Sequence, residues 1–454
     1  MEFLIKNNAK MTGLGFEAQN EIKAQLIMDN PKFKDAERAG RYTGGIDKHL
    51  HFYQEIPRGL EIPRGFAARA YRICEGYGEK ITVIDHRAEV PVDFQFHGTL
   101  KPFQNVAVNA MIQTDHGTLE SSTGSGKTVM ALSIIATRGK RALIVVHTKE
   151  LLNQWIDRIE SFLGIPAGEV GVIGTGKFSL GEKITVAMVQ TLCKRTAEVM
   201  GKFGHVVVDE AHRSPSKTFT DVVSAMDAKY LLGLTATAYR RDGLGRVIFL
   251  YLGDRRHQVE KAELLNLGHL CEARVVWHQT DFDTCLNPSE EYSKMLSELT
   301  QDHQRNRQIC SDVAGDNCQG IKLILSDRKD HCHQLADILK EEHGIEATVL
   351  TGGLTRKQRE DVNLQIHTST VKILICTGQL IGEGYDLPAL ENLFLATPIK
   401  FSGRLIQYIG RVLRPSPGKD EATVHDYCDL LVGVLEHGAR VRARVYDREG
   451  IRAA

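Results

Sequence analysis

Eight consecutive residues, Ser121-Ser122-Thr123-Gly124-Ser125-Gly126-Lys127-Thr128, have the composition of a loop that grips phosphate. Gly124 and Gly126 let the backbone bend closely round an anion. Successive N–H groups at the start of the apolar stretch Val129 to Ala136 stabilise its negative charge. Lys127 is placed to reach β- and γ-phosphates and the Thr128 hydroxyl to ligate Mg2+, with Thr123 and Ser125 completing the cradle. Ser121 stands where such loops usually begin with glycine. About 80 residues further on, the apolar run Val206-Val207-Val208 ends in Asp209 and Glu210. Carboxylates at a strand's C-terminal end project into the crevice where a phosphate loop lies. Asp209 is therefore the candidate for the Mg2+ shell and Glu210 for polarising an attacking water. In Gln407-Tyr408-Ile409-Gly410-Arg411-Val412-Leu413-Arg414 two arginines stand at i and i+3, which predicts one helix face carrying both guanidiniums. Aimed across a cleft, they would stabilise charge on a transferring phosphoryl group. The chemistry these groups suit is hydrolysis of a nucleoside triphosphate.

Such groups need strands and helices to hold them, and the pattern around them supplies both. Short β-branched runs at Ala142 to Val146, Ile184 to Met188, Val206 to Val208 and Leu231 to Leu234 alternate with longer helical stretches. One of these is Lys149 to Phe162, with Leu151, Leu152, Trp155, Ile156 and Ile159 at helical spacing. Near-continuous apolar strands separated by helices indicate a parallel sheet covered on both faces. The alternation recurs later, with strands expected at Lys322 to Leu325, Ala347 to Leu350, Lys372 to Cys376 and Asn392 to Ala396. Helices are expected near Asp330 to Glu342 and Thr355 to Ile366. Residues 1 to about 95 lack this alternation and are punctuated by turn signals, among them the near-duplicates Ile56-Pro57-Arg58-Gly59 and Ile62-Pro63-Arg64-Gly65.

Bulk composition narrows the class. At 454 residues the chain is too long for one ordinary domain. Lys+Arg and Asp+Glu are both 57, so phosphate binding must come from local basic patches and not from net charge. The nine cysteines are scattered without a C-x-x-C pair, which suits reduced, mostly buried thiols. Cys310, Cys318 and Cys332 near His331 and His333 fit no common zinc module. No apolar run has signal-peptide or membrane-span length, so no membrane partner is expected and a cytoplasmic location is, nucleoid-associated if the source is bacterial or viral.

Asp209-Glu210-Ala211-His212 resembles the D-E-A-H box of superfamily 2 helicases, and other segments follow in the family's order. Leu100-Lys101-Pro102-Phe103-Gln104 resembles the upstream glutamine motif, which implies that Gln104 reads the adenine edge and that the nucleotide is ATP. Gly233-Leu234-Thr235-Ala236-Thr237 is similar to the T-A-T motif that links ATP state to nucleic acid. Val146-His147-Thr148-Lys149-Glu150-Leu151 and Val189-Gln190-Thr191-Leu192 resemble motifs that contact the nucleic-acid backbone, implying that role for Thr148, Lys149 and Thr191. Cys376-Thr377-Gly378-Gln379 with Gly382-Glu383-Gly384-Tyr385-Asp386-Leu387-Pro388 resembles a second-domain motif, implying a phosphodiester contact at Thr377 and nucleotide proximity at Gly384 and Asp386. Thr351-Gly352 with Arg359 suits a further motif of that domain, or a simple strand-to-helix turn. The arginine segment resembles the family's finger motif, which implies that Arg411 and Arg414 approach the γ-phosphate. His212 joins the catalytic set by the same resemblance. Its implied fold is α/β, two tandem RecA-like parallel-sheet domains at 96–255 and 256–454 behind a small accessory domain at 1–95.

Tyr239-Arg240-Arg241-Asp242-Gly243 is reminiscent of the R-E-D element of the XPB branch, with Arg241 where Glu would stand, and Arg240 is the implied nucleic-acid contact. The upstream motif and the Gln407-initiated helix also suit the XPB/UvsW-like branch. Members of that branch act on duplex, forked or branched DNA in repair, recombination or transcription; RNA stays open as a partner, as does ATP-gated binding with little unwinding. The N-terminal region interleaves cations and aromatics (Lys32, Lys34, Arg38, Arg41, Tyr42, Phe52, Tyr53) with acids (Asp35, Glu37, Asp47, Glu55). That composition serves a nucleic-acid surface or an ordinary solvated one.

Overall fold

The structure, a computed structural model, describes residues 1–213, 217–236, 244–288, 290–354, 356–368, 370–378, 390–399, 402–415, 419 and 421–454. Two compact units emerge, Met1–Ser122 with Gly126–Glu260, and Lys261–Ala454 with Thr123–Ser125.

The first unit holds an eight-stranded sheet. Its order is Lys177–Phe178, Gly171–Gly174, Ile184–Met188, Ala142–Val146, His205–Val208, Tyr230–Thr235, His116–Ser121 and Arg255–Val259. Every pairing is parallel except that of the short edge strand Lys177–Phe178. Ala142–Val146 is buried at all five positions because helices cover both faces, so its sequence runs apolar without alternation. One covering helix is Lys149–Leu163, whose buried stripe is Leu152, Trp155, Ile159 and Leu163. A spacing of three or four residues keeps those side chains on one side.

Ahead of it lies a five-stranded sheet, Gln54–Ile56, Gly59–Pro63, Asn8–Thr12, Glu2–Ile5 and Thr82–Asp85. It is antiparallel except between Glu2–Ile5 and Thr82–Asp85, and carries the helices Phe16–Gln25 and Ala67–Gly76. Its core of Phe3, Met11, Ile22, Leu60, Ile62 and Phe66 takes in Leu250 from the part of the same unit built on the eight-stranded sheet.

The second unit is a seven-stranded parallel sheet, Thr348–Leu350, Ile373–Thr377, Ile321–Ser326, Leu390–Leu395, Glu421–Cys428, Glu272–Gln279 and Arg452–Ala453. Helix Lys329–His343 covers one face through Cys332, Leu335 and Leu339. Arg305 is buried between strand ends, its guanidinium donating to Asp429 Oδ1 at 2.7 Å and Ala396 O at 2.6 Å. Among the described residues no helix is long and apolar enough to cross a membrane.

Candidate active site

The phosphate-loop segment joins the strand His116–Ser121 to the helix Lys127–Arg138. Gly124 and Gly126 have φ of +90° and +86°, the left-handed region that favours glycine. A Cβ on Gly126 would also lie 2.5 Å from Gln104 Nε2. Lys127 opens the helix, and its ammonium donates back to Ser121 O at 2.9 Å and Ser122 O at 3.2 Å. The lysine head thus rests over its own loop, beside the helix N-terminus. Thr128 follows in the first turn, Ser125 is buried, and Thr123 is half-buried. The hydroxyls of Ser121 and Ser122 are buried without a hydrogen-bond partner. Glycine conformation, helix-start amides and an ammonium over the loop fit a nucleotide triphosphate with its Mg2+.

Asp209 continues the strand His205–Val208, its N–H donating to Val145 O at 3.0 Å. Only 7% of it is exposed, and each carboxylate oxygen is held: Oδ2 by Trp155 Nε1–H at 2.9 Å, Oδ1 by the Glu210 N–H at 2.9 Å. Burial pushes its carboxyl up to about 6 and the neighbouring Glu210 adds to that, against the Trp155 N–H and the Lys127 charge. A bound divalent cation would oppose the burial and favour the ionised form. Glu210 has φ +51°, a conformation costing about 1–3 kcal/mol in a non-glycine residue. That turn sends its side chain away from the line of the strand. Glu210 Oε2 lies 3.1 Å from His212 Nδ1, and the Thr235 hydroxyl reaches the same nitrogen at 3.4 Å. His212 Nδ1 therefore lies between the candidate water-polarising carboxylate and the end of the strand Tyr230–Thr235.

Gln104 is buried at the start of the helix Pro102–Ile112, where its Oε1 accepts the Lys101 N–H at 2.9 Å and so satisfies a backbone donor at the helix N-terminus. The sequence reading gave it adenine recognition and missed this second engagement, although a glutamine at the third helical position signals it. Thr148 caps the helix Lys149–Leu163, its hydroxyl accepting from Leu151 N at 3.3 Å, with Lys149 in the first turn. Thr191 lies in the short helix Val189–Leu192, and Gln190 beside it donates to His147 O at 3.1 Å. The two segments expected to contact nucleic-acid backbone are thus joined at the strand ends of one sheet.

In the second unit Thr377 ends the strand Ile373–Thr377, and the Tyr408 hydroxyl donates to the next carbonyl, Gly378 O, at 2.7 Å. Arg411 is buried in the last turn of the helix Ser402–Val412. Arg414 lies beyond that helix, which corrects the expectation of two arginines on one helix face. Pro415 follows it, and the residue before proline is driven out of the helical region. Gly384, Asp386 and Arg240 lie outside the described residues, as does the Tyr239 to Gly243 segment. Trp155 was legible only as part of an apolar stripe; that its indole N–H meets Asp209 is a tertiary fact no local pattern carries.

Comparison with known proteins points the same way. Residues 97–240 match the family model described as Type III restriction enzyme, res subunit, and residues 306–416 match Helicase conserved C-terminal domain. A protein of Invertebrate iridescent virus 3 named "Putative helicase 109L" is 30% identical over 252 residues, spanning 49% of this chain and 74% of that one. The DNA 3'-5' translocase XPB2 of Sulfurisphaera tokodaii is 37% identical over 144 residues, 32% of each chain. In fold, the chain is similar to Dbp5 of S. cerevisiae bound to RNA and ADP BeF3, with a TM-score of 0.55 and 14% identity over 79% of this chain and 90% of that one.

Proposed function

We propose, for a chain that belongs to the superfamily 2 helicases of the XPB/UvsW-like type, that it couples ATP hydrolysis to movement on, or remodelling of, duplex or branched DNA in repair, recombination or related processing. The observation that carries the reading is the Asp209–Glu210–His212 arrangement. A strained Glu210 close to His212 and beside an anchored Asp209 is the equipment of hydrolysis, beyond what a nucleotide-gated binding protein needs. The preference for DNA over RNA rests on the 37% identity over 144 residues to a protein named a DNA translocase.

In this reading the phosphate-loop amides and Lys127 hold the β- and γ-phosphates of ATP, with Gln104 at the adenine. Thr128 and Asp209 hold Mg2+, which when bound neutralises phosphate charge. Glu210 orients the attacking water, and Arg411 and Arg414 stabilise the charge that develops on the transferred group. Thr148, Lys149 and Thr191 on the first unit and Thr377 on the second grip the nucleic-acid backbone. Loss of the γ-phosphate changes the grip of one set relative to the other, and the chain advances.

The test is ATPase turnover on single-stranded, duplex, forked and RNA substrates, with Lys127→Ala as control. Stimulation by duplex or forked DNA above RNA, abolished in Lys127→Ala, is expected. Stimulation by RNA alone would make this an RNA helicase, and nucleic-acid binding without turnover would leave only a nucleotide-gated binder.

A further inference from the structure

Trp155 is 1% exposed in the buried stripe of the helix Lys149–Leu163, and its one polar atom, the indole N–H, is spent on Asp209 Oδ2 at 2.9 Å. With the Glu210 amide on Oδ1, this leaves the Asp209 carboxylate a single orientation. A tryptophan serving only to fill the interior would need some acceptor for its N–H, and a backbone carbonyl would do. Here the acceptor is the carboxylate assigned to the metal shell.

The same helix begins at Thr148, whose hydroxyl caps it, and at Lys149. Trp155 stands seven residues after Thr148, about 10 Å along the axis at 1.5 Å per residue. Between them the chain is an unbroken helix whose Leu152 and Trp155 are locked into the interior. Gln190, next to Thr191, donates to His147 O just before the cap. The end of the helix read as touching the nucleic-acid backbone and the indole that orients Asp209 are therefore parts of one rigid piece.

We propose that Trp155 is a positioning residue that fixes the Asp209 carboxylate toward the metal shell, and that the Lys149–Leu163 helix carries nucleic-acid engagement at Thr148 to that carboxylate. The proposal rests on the backbone-contact reading of Thr148 and Lys149 given above. It names the route by which nucleic acid raises turnover: a shift of the helix start moves the indole, and the indole moves Asp209. Trp155 is buried, and it acts only through Asp209.

Trp155→Phe keeps an aromatic ring in the stripe and removes the donor. Replacement of Trp155 by 3-benzothienylalanine, which exchanges the N–H for sulfur at nearly constant shape, serves if the Phe variant folds poorly. Loss of a partner that orients a metal ligand costs about 10–100-fold in metal affinity or activity. Both variants should therefore need about 10-fold or more additional Mg2+ for half-maximal turnover, and show a matching loss of Mn2+ affinity by paramagnetic resonance in the presence of a non-hydrolysable ATP analogue. Binding of a fluorescent ATP analogue in EDTA should stay within about 2-fold, because the phosphate loop is untouched. The ratio of DNA-stimulated to basal turnover should fall toward one, as it should in Thr148→Ala. The chain has only two tryptophans, and the second, Trp277, lies on another sheet, against Tyr446. In a Trp277→Phe background, the emission of Trp155 should respond to Mg2+ and then to DNA.

Unchanged Mg2+ and Mn2+ dependence in the benzothienyl protein would overturn the positioning role. A shifted metal dependence with a wild-type stimulation ratio would overturn the coupling. If no nucleic acid stimulates the wild-type protein, the functional reading fails instead, and the metal-binding arm still decides whether Trp155 orients Asp209.

Discussion

Lowering the pH from 7 to 5 should destabilise this protein through its buried neutral histidines, against a smaller opposing effect of Asp209, whose raised carboxyl takes up a proton below about 6 in the folded chain. His331 is 1% exposed, with Nδ1 2.9 Å from Ser326 Oγ and Nε2 2.8 Å from Asn306 Oδ1. Burial, with Arg305 adding, pushes it down to about 3 from the ordinary 6.5. Its folded value is depressed, so between about 3 and 6.5 the unfolded chain holds a proton that the folded chain refuses. Stability is then full above 6.5 and drains as pH falls, by about 1.4 kcal/mol per pH unit, or about 2 kcal/mol by pH 5. In the first unit His116 and His205 are held well below their ordinary range, mainly by burial and further by surrounding arginines, of which Arg138 acts on both. With two such groups that unit should also lose stability over the same window, partly offset by Asp209, whose carboxyl is raised to about 6 by burial. Asp316, held below the usual carboxylate range by His425 and the Cys318 and Asn392 groups in spite of its burial, takes effect only at lower pH. Hydrogen exchange followed peptide by peptide from pH 7 to 5, corrected for intrinsic rates, reads the units separately. His331→Gln should flatten the slope of the second unit and leave that of the first. A variant less stable at pH 7 with an unchanged slope would show that folded His331 accepts the proton, and would refute the argument.

Arg411→Ala and Arg414→Ala should leave ATP binding within a few-fold while lowering hydrolysis about 10³-fold, measured by equilibrium binding beside single-turnover kinetics. Loss of binding would mean that these arginines build the pocket and do not act on the transition state. Arg305→Ala should destabilise the second unit by about 3–5 kcal/mol in urea unfolding, since Asp429, fully buried, would lose its guanidinium partner. A cost below about 1 kcal/mol would mean that water reaches the pair.

The sequence disclosed most where burial is two-sided. Ala142–Val146 and Ile184–Met188 were read to the residue, because a central parallel strand covered on both faces runs nearly continuously apolar or β-branched. The Lys149–Leu163 helix was read within one residue from its stripe. The N-terminal sheet stayed hidden because its strands are short and interrupted by polar residues, with partners far apart in the chain: Glu2–Ile5 pairs with Thr82–Asp85. Within the site, Lys127, Asp209 and Glu210 were legible because phosphate and metal chemistry dictates residue type and spacing. The contacts of Trp155 and Gln104 were not, since either side chain has an ordinary local reason to be where it is. The end of the arginine helix was misjudged by weighing the i, i+3 spacing and not the proline behind it.

The repeated Ile-Pro-Arg-Gly tetrapeptide shows how far local sequence reaches. In the first copy Arg58 is exposed at φ +60° and Gly59 sits where a Cβ would strike Met11 O, so the segment is simply the turn of a hairpin. In the second, Arg64 is 2% exposed and donates one nitrogen to both Lys6 O at 2.8 Å and Ala228 O at 2.7 Å. Gly65 has no room for a side chain, since a Cβ there would lie 2.5 Å from Gly253 N. Arg69 completes the contact through Asp254, and Asn7 donates to Ser224 O at 2.6 Å. A buried guanidinium, pushed down to about 9 by that burial, is tolerable only where the surrounding carbonyls stay fixed. Together with Leu250 inside the N-terminal core, this makes residues 1–85 an extension of the first motor sheet and not a tethered module. Whatever surface Lys32, Arg38 and Tyr42 present therefore belongs to the same compact unit as Lys127, Asp209 and Glu210.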